Sequence, residues 1–308
     1  MAYTGASTPN IGTTTGLNPL NRTIHVDVLM AYERKTGFVD KVYTQTIQGG
    51  TGAQFTIEGK EDIDATNTAL YAAGGQVNIT TGTQDERIIN LDRPTYVARR
   101  IDKFDEAVAN YDVMGMQIRQ IGSKLKNVVD RKVAAAVEAA SLSTGLVGNG
   151  GGGVIVNTAL PGGVNQAVSA ELKGVAIVES IYAALAVIKT NDSDEEIFIG
   201  MKPAYFQYLP QSLKIVSTDF SGNNGGLDSG SVAMVGGASV FQTNNMPATA
   251  GLVALAFGKD AAGLVKLWDV NTKITEQADF LDAKLVTAYF ANGVAPLSPA
   301  CAVSIKNV

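Results

Sequence analysis

Apolar and polar positions follow different rhythms in successive stretches of the chain. Residues 1 to about 24 are Thr, Gly, Asn and Ser with almost no apolar periodicity. Such a segment cannot bury enough surface to order alone, and it has the composition of an arm that orders on a neighbour. His25-Val26-Asp27-Val28-Leu29-Met30-Ala31-Tyr32 suits a short strand or helix. From 38 to 90 the pattern is extended, with strands expected at Val39-Asp40-Lys41-Val42-Tyr43, Phe55-Thr56-Ile57-Glu58, Val77-Asn78-Ile79-Thr80 and Ile88-Ile89. Alternation and β-branched content support these assignments. The stretches between them, such as Gly49-Gly50-Thr51-Gly52 and Gly59-Lys60-Glu61-Asp62, are polar. A hairpin this poor in apolar residues is marginal by itself in water, so it needs a surface to lie on.

The period changes after Tyr111. Met114, Ile118, Ile121, Leu125, Val128, Val129, Val133, Ala136, Val137 and Ala140 recur mostly at spacings of 3 and 4. That spacing predicts one long amphipathic helix over 113–140, with Asp112 as its N-cap. Its length is about 42 Å at 1.5 Å per residue. Gly115 and Gly122 inside it each cost about 1 kcal/mol against Ala and mark close packing or a bend. After a Gly-rich loop at 145–153, a second helix is expected behind Ser169, with Leu172, Val175, Val178, Ile181, Tyr182, Leu185 and Ile188 on its apolar positions. A buried strand at Ile197-Phe198-Ile199 and a short helix from Pro203 to Leu209 follow. Further short strands read at 239–242, 252–257, 265–268, 285–289 and 301–305. Helices and strands that are separated rather than alternating indicate an α+β fold.

Composition sharpens this. Charged residues are 17% of the 308-residue chain and Gly numbers 33, so small neutral residues must carry much of the surface. Such a surface suits a protein whose exterior is mostly contact area. The net charge of -5 argues against a free nucleic-acid-binding protein, which is ordinarily basic. No apolar run approaches the roughly 20 residues of a membrane span, and the start of the chain lacks the pattern of a signal peptide.

Charge is unevenly placed. Residues 93–132 hold nine Lys/Arg and five Asp/Glu, a net +4, which leaves -9 on the rest. One reading is a solvated helix face, or salt bridges to acidic neighbours. The other is a face turned toward nucleic acid held without sequence readout, through Arg119, Lys124, Lys126, Arg131 and Lys132.

Candidate chemistry is sparse. The single histidine, His25, excludes a His-rich metal site and does not support a His-based triad. Cys301 sits in Ala300-Cys301-Ala302-Val303 and reads as a small buried hydrophobe; alone, it forms no internal disulfide. Gly148-Asn149-Gly150-Gly151-Gly152-Gly153 matches a G-x-G-x-x-G, but a helix precedes it and a strand follows, the reverse of a dinucleotide site. Gly59-Lys60 and Gly258-Lys259 lack the other residues of a P-loop. The acidic run Asn191-Asp192-Ser193-Asp194-Glu195-Glu196 lacks the spacing of an EF-hand and reads as a solvated turn. No catalytic residue, metal site or cofactor is expected.

The order of these parts resembles tailed-bacteriophage major capsid proteins of the Hong Kong 97 type fold: an arm, a long polar β-extension, one long helix, a compact second domain and closing strands. Local segments resemble those of short-tailed, podovirus-type phages. They are Gly52-Ala53-Gln54-Phe55-Thr56-Ile57-Glu58-Gly59; Phe104-Asp105-Glu106-Ala107 with Asn110-Tyr111-Asp112-Val113; Gly230 to Val240 followed by Met246-Pro247; Gly263-Leu264-Val265-Lys266-Leu267; and Ala291-Asn292-Gly293-Val294.

The resemblance implies an N-terminal arm at 1–50 and an extended loop at 51–89 that lies on an adjacent subunit. It implies a peripheral domain at 90–165 and 271–308 with spine helix 113–140, and an axial domain at 166–270. Phe55, Ile57, Glu58, Lys60 and Glu61 would be inter-subunit contacts of the extended loop. The basic residues named above would face packaged DNA. The function implied is a non-enzymatic virion protein, assembled in the host cytoplasm as pentamers and hexamers of itself into an icosahedral shell. Its partners would be a scaffolding protein, a portal protein at one vertex, phage DNA and a decoration protein, with no membrane. The founding member of the fold crosslinks a loop Lys to an Asn. Lys60 and Asn292 are the residues available here, no carboxylate can be assigned to assist them, and podovirus-type shells generally do not crosslink. Rival readings are a same-fold nanocompartment enclosing enzymes, an enzyme with a carboxylate-based site, and a tail-tube or adhesin protein. The long helix disfavours the last.

Overall fold

The computed structural model describes residues 37–47, 54–58, 86–102, 107–109, 112–143, 152–163, 169–191, 196–212, 234–277 and 283–307. Its strands are β1 (Tyr43–Thr46), β2 (Gln54–Glu58), β3 (Glu86–Asn90), β4 (Thr95–Ile101), β5 (Val154–Val156), β6 (Ile197–Met201), β7 (Met234–Val235), β8 (Ala238–Gln242), β9 (Leu252–Gly258), β10 (Ala262–Gln277), β11 (Ala283–Pro296) and β12 (Ala302–Lys306). Its α-helices are α1 (Val113–Leu142), α2 (Ala170–Thr190) and α3 (Pro203–Phe206). The expected segments His25–Tyr32 and Val77–Thr80 lie outside the described residues.

Two compact units form. The smaller comprises residues 1–34, 96–125 and 270–289, and the larger 35–95, 126–269 and 290–308. β5 and β12 are strands of the same sheet as β6, β8 and β9. In the smaller unit the buried apolar residues include Ile101, Ile121, Leu125, Ala283, Val286 and Ala288.

The larger unit is built on a six-stranded sheet ordered β5-β12-β9-β6-β8-β7. It is mixed: β12 with β5 and β6 with β8 are parallel, whereas β9 runs antiparallel to both β12 and β6. Every residue of β9 is buried. Val253 and Ala256 face a core with α2, while Leu252, Leu255 and Phe257 face a second core with Val133, Ala134, Val137 and Ala140 of α1. A strand covered on both faces reads as an unbroken apolar run, as Leu252–Phe257 does.

The α2 helix begins where Ser169 Oγ accepts the N–H of Leu172 at 3.2 Å, the expected cap. In α1 the first helical bond runs from Met116 N–H to the Asp112 carbonyl, which places Asp112 at the N-cap position. A Cβ on Gly122 would meet nothing within 4 Å, so that glycine does not mark close packing. A four-stranded sheet ordered β1-β10-β11-β4 contains strands far longer than the short runs expected at 265–268 and 285–289.

Candidate assembly surfaces

The expected strand at 39–43 begins instead as a 3-10 turn, Val39–Lys41, followed by β1. The cause is Asp130 of α1, which is fully buried. Its Oδ1 accepts the backbone N–H of Phe38 at 2.7 Å and those of Gly37 and Val39 at 3.1 Å each. Its Oδ2 accepts Nδ2 of Asn245 at 2.9 Å. Three consecutive N–H groups can converge on one oxygen only if the backbone curls. Among the described residues this buried carboxylate is balanced by charge-assisted hydrogen bonds.

The curl delivers Phe38 to the sheet. The ring is fully buried, edge-on to Phe241 at 5.2 Å and stacked on Phe257 at 5.4 Å. Gly200 makes room for it, since a Cβ there would lie 2.6 Å from Phe38 Cζ. Lys41 Nζ stands 4.5 Å over the Phe198 ring, a cation–π contact. In the sequence Asp130 registers only as one acid in a basic stretch. The available signal is its helical position, three, four and seven residues before the buried Val133, Ala134 and Val137.

The hairpin of the expected extended loop is rooted by β3. Gln54 to Glu58 pair antiparallel with Asn90 to Glu86, Phe55 opposite Ile89 and Glu58 opposite Glu86. Ile89 is fully buried in a small core with Ile47, Val265 and Leu297, while its neighbour Ile88 is 49% exposed. Gly293 lets β11 approach this root, because a Cβ there would run into the Asn90 carbonyl. Asp92 N–H donates to the Asn292 carbonyl at 3.1 Å. Phe55, Ile57 and Glu58 therefore stand on β2. Lys60 and Glu61 lie outside the described residues.

The basic residues differ in their pairing. Lys132 donates to Asp92 Oδ2 at 2.8 Å. Arg99 donates to Gln117 Oε1 at 2.5 Å, and Arg100 lies 3.4 Å from Asp102. The side chain of Arg119 and all of Lys103 lie outside what is described. Arg93, Lys124, Lys126 and Arg131 are exposed, and none has an ion pair among the described residues.

Other buried polar groups among the described residues include Glu138 and Asn292. Glu138 Oε2 accepts from Thr249 Oγ1 at 2.8 Å, and Lys306 Nζ lies 3.3 Å from Oε1. That pair is an ion pair without hydrogen-bond alignment, because Oε1 accepts no hydrogen bond. Burial lowers the pKa of nearby Lys202, with Glu138 opposing the shift. Asn292 is 3% exposed, and neither atom of its amide has a partner among the described residues. Cys301 is buried beside Ser298 Oγ; His25 lies outside the described residues. Among the described residues no group of three or more His, Cys, Asp or Glu could hold a metal ion, and no helix is long and apolar enough to cross a membrane.

Comparison with known proteins bears on these surfaces. A family model described as Gp10A-like major capsid protein matches residues 63–256. The capsid structure of the cyanophage P-SCSP1u is similar, with 24% identity, a TM-score of 0.74, and coverage of 90% of this chain and 89% of that one. The asymmetric unit of the bacteriophage PhiM1 mature capsid gives 15% identity and a TM-score of 0.73 over 90% and 88%. The capsid of Ralstonia phage GP4 gives 10% and 0.63 over 100% and 98%. No curated protein sequence matches. The likeness to the solved structures shows the α+β fold of phage capsid subunits.

Proposed function

The chain belongs to the Gp10A-like major capsid protein family, and from that premise we propose that it closes an icosahedral phage shell of pentamers and hexamers by laying its arm and extended loop on neighbouring copies. It is a shell-forming capsid subunit; the nanocompartment reading is not favoured, since the family and the solved relatives are phage capsids. The enclosed material is phage genomic DNA, held by non-specific contact. Assembly takes place in the host cytoplasm on a scaffolding protein, with a portal protein at one vertex and a decoration protein on the finished shell.

The observation that carries the loop reading is the root of the hairpin. Ile89 seats β3 in the subunit's core, while residues 59–85 leave from it with only Ile63, Leu70, Tyr71, Val77 and Ile79 as large apolar residues. A segment with so little apolar surface gains most by burying it against a ready-made partner. Many modest contacts per copy then sum to a stable shell, and contacts between unlike patches of identical subunits generate rings.

The test keeps the hairpin and removes its outer part. Glu58 and Glu86 are directly paired, so residues 59–85 can be replaced by Asn-Gly, the two-residue turn such strands accept. The subunit is expected to fold, with unchanged circular dichroism, and to fail to close shells by electron microscopy. Normal shells from this variant would refute the loop's role.

A further inference from the structure

We infer that Asp130 is the positioning residue of the N-terminal arm. Its carboxylate clasps Gly37, Phe38 and Val39 and so sets the direction in which the chain before Gly37 leaves the subunit, a setting that shell closure needs and subunit folding does not. The inference rests on the proposal that the arm lies on a neighbouring copy, and it names the group that aims it.

The segment is held at two separate places in the larger unit. One is β1, an edge strand whose Tyr43 to Thr46 pair parallel with Gly263 to Lys266 of β10. That ladder alone would keep the segment on the subunit. It would not fix the chain before Tyr43, because the end of an edge strand frays. The other place is the clasp, on α1 and the six-stranded sheet. There Phe38 packs on Phe241 of β8 and Phe257 of β9. Lys41 Nζ stands over the rings of Phe198 at 4.5 Å and Phe241 at 5.1 Å. Val42, 3% exposed, joins the two places. A chain fixed at one point swivels, whereas a chain fixed at two has a direction.

The chemistry of the clasp favours geometry over adhesion. Burying a carboxylate carries a desolvation cost that its hydrogen bonds at best offset, so such groups stabilise weakly. What a carboxylate does that an apolar side chain cannot is fix directions. Its Oδ1 takes the N–H groups of three successive residues within 3.1 Å. Its Oδ2 is held in turn by Nδ2 of the fully buried Asn245 at 2.9 Å. Asn245 is tied to Asn127 Oδ1 and, through its N–H, to Thr243 Oγ1, each at 3.1 Å. Thr243 N–H donates to the Met201 carbonyl of β6 at 2.9 Å. The carboxylate therefore stands in one orientation relative to the sheet. Gly37 lets the backbone lie on the Phe241 ring, since a Cβ there would come 2.7 Å from Phe241 Cε2.

The experiment compares full-length variants in cells that express the full set of assembly proteins. Asp130→Ala is expected to accumulate as soluble subunits with unchanged circular dichroism. It is expected to lower the yield of closed shells by about tenfold or more, since a misdirected contact recurs in every copy. Asp130→Asn with Asn245→Asp keeps an acceptor for the three N–H groups and one within the pair, and is expected to restore most of the yield. Gly37→Val acts from the other side of the clasp, leaves Asp130 in place, and is expected to lower the yield as well. Ile188→Ala is the control. It opens a cavity in the α2 core and is expected to lower stability at least as much, yet to close shells normally.

Normal shells from Asp130→Ala or from Gly37→Val would overturn the inference. An equal loss of shells in Ile188→Ala would also overturn it, because stability and not direction would then be the cause. Cryo-electron microscopy of wild-type shells separates the inference from the reading beneath it. If the chain before Gly37 lies on a neighbouring copy while both clasp variants close normal shells, the arm bridges copies without the clasp, and only the inference falls. If that chain folds back on its own subunit, the arm reading is wrong and the inference falls with it.

Discussion

Replacing Asp130 with Ala removes the acceptor of four donors: the backbone N–H groups of Gly37, Phe38 and Val39, and Nδ2 of Asn245. Asn245 keeps a second acceptor, Asn127 Oδ1, at 3.1 Å, so the loss falls on the three backbone groups. A buried donor left without a partner costs ~1–3 kcal/mol. Three such donors would cost roughly 3–9 kcal/mol, less the desolvation relieved by removing a buried charge, for a net of about 3–4 kcal/mol. The burial of the Phe38 side chain opposes this with ~1.5–3 kcal/mol. The penalty meets or exceeds what holds the segment down, so residues 37–42 are expected to detach locally while the sheet survives.

Asp130→Asn is milder. Its oxygen can keep the three N–H groups, but its amide then meets Nδ2 of Asn245 donor to donor, a loss of about 1–2 kcal/mol. Adding Asn245→Asp should recover much of that loss by returning an acceptor to the pair. The assay is hydrogen exchange over residues 37–43 of unassembled subunits, paired with urea unfolding. Slow exchange at 37–39 in Asp130→Ala, with stability within about 0.5 kcal/mol of wild type, would refute the reasoning.

Gly122→Ala should raise subunit stability by about 0.5–1 kcal/mol in urea unfolding, since the added methyl enters open space and the helix gains propensity. Gly293→Ala should lower it by roughly 1–3 kcal/mol and speed hydrogen exchange in β3, because the new Cβ collides with the Asn90 carbonyl. Lys202 makes stability rise with pH: its folded pKa lies below the ordinary 10.5, so between the two values the unfolded chain binds the proton that the folded one has released. Urea midpoints measured up to pH 10.5 should show that rise in the wild type and lose its Lys202 component in Lys202→Met.

Period and composition alone determined α1, read as 113–140 and found as Val113–Leu142, the Ser169 cap of α2, and β2 and β3 with their polar surroundings. These are local properties: a 3.6-residue apolar period, a capping hydroxyl and a strand alternation are written in adjacent residues. The uneven charge along the chain was equally legible, although its division into paired and unpaired cations was not.

Tertiary structure decided what depends on partners distant in sequence. The curl at 39–41 replaced an expected strand because Asp130, more than 90 residues away, gathers three N–H groups. The strands β10 and β11 outgrew their apolar runs because ladder pairing satisfies backbone groups whatever the side chains. The closing strand β12 joined β5 and β9 because a buried sheet selects apolar strands by fit rather than by order. Whether a glycine such as Gly293 or Gly122 is needed depends on what lies opposite it, and that is absent from a linear chain.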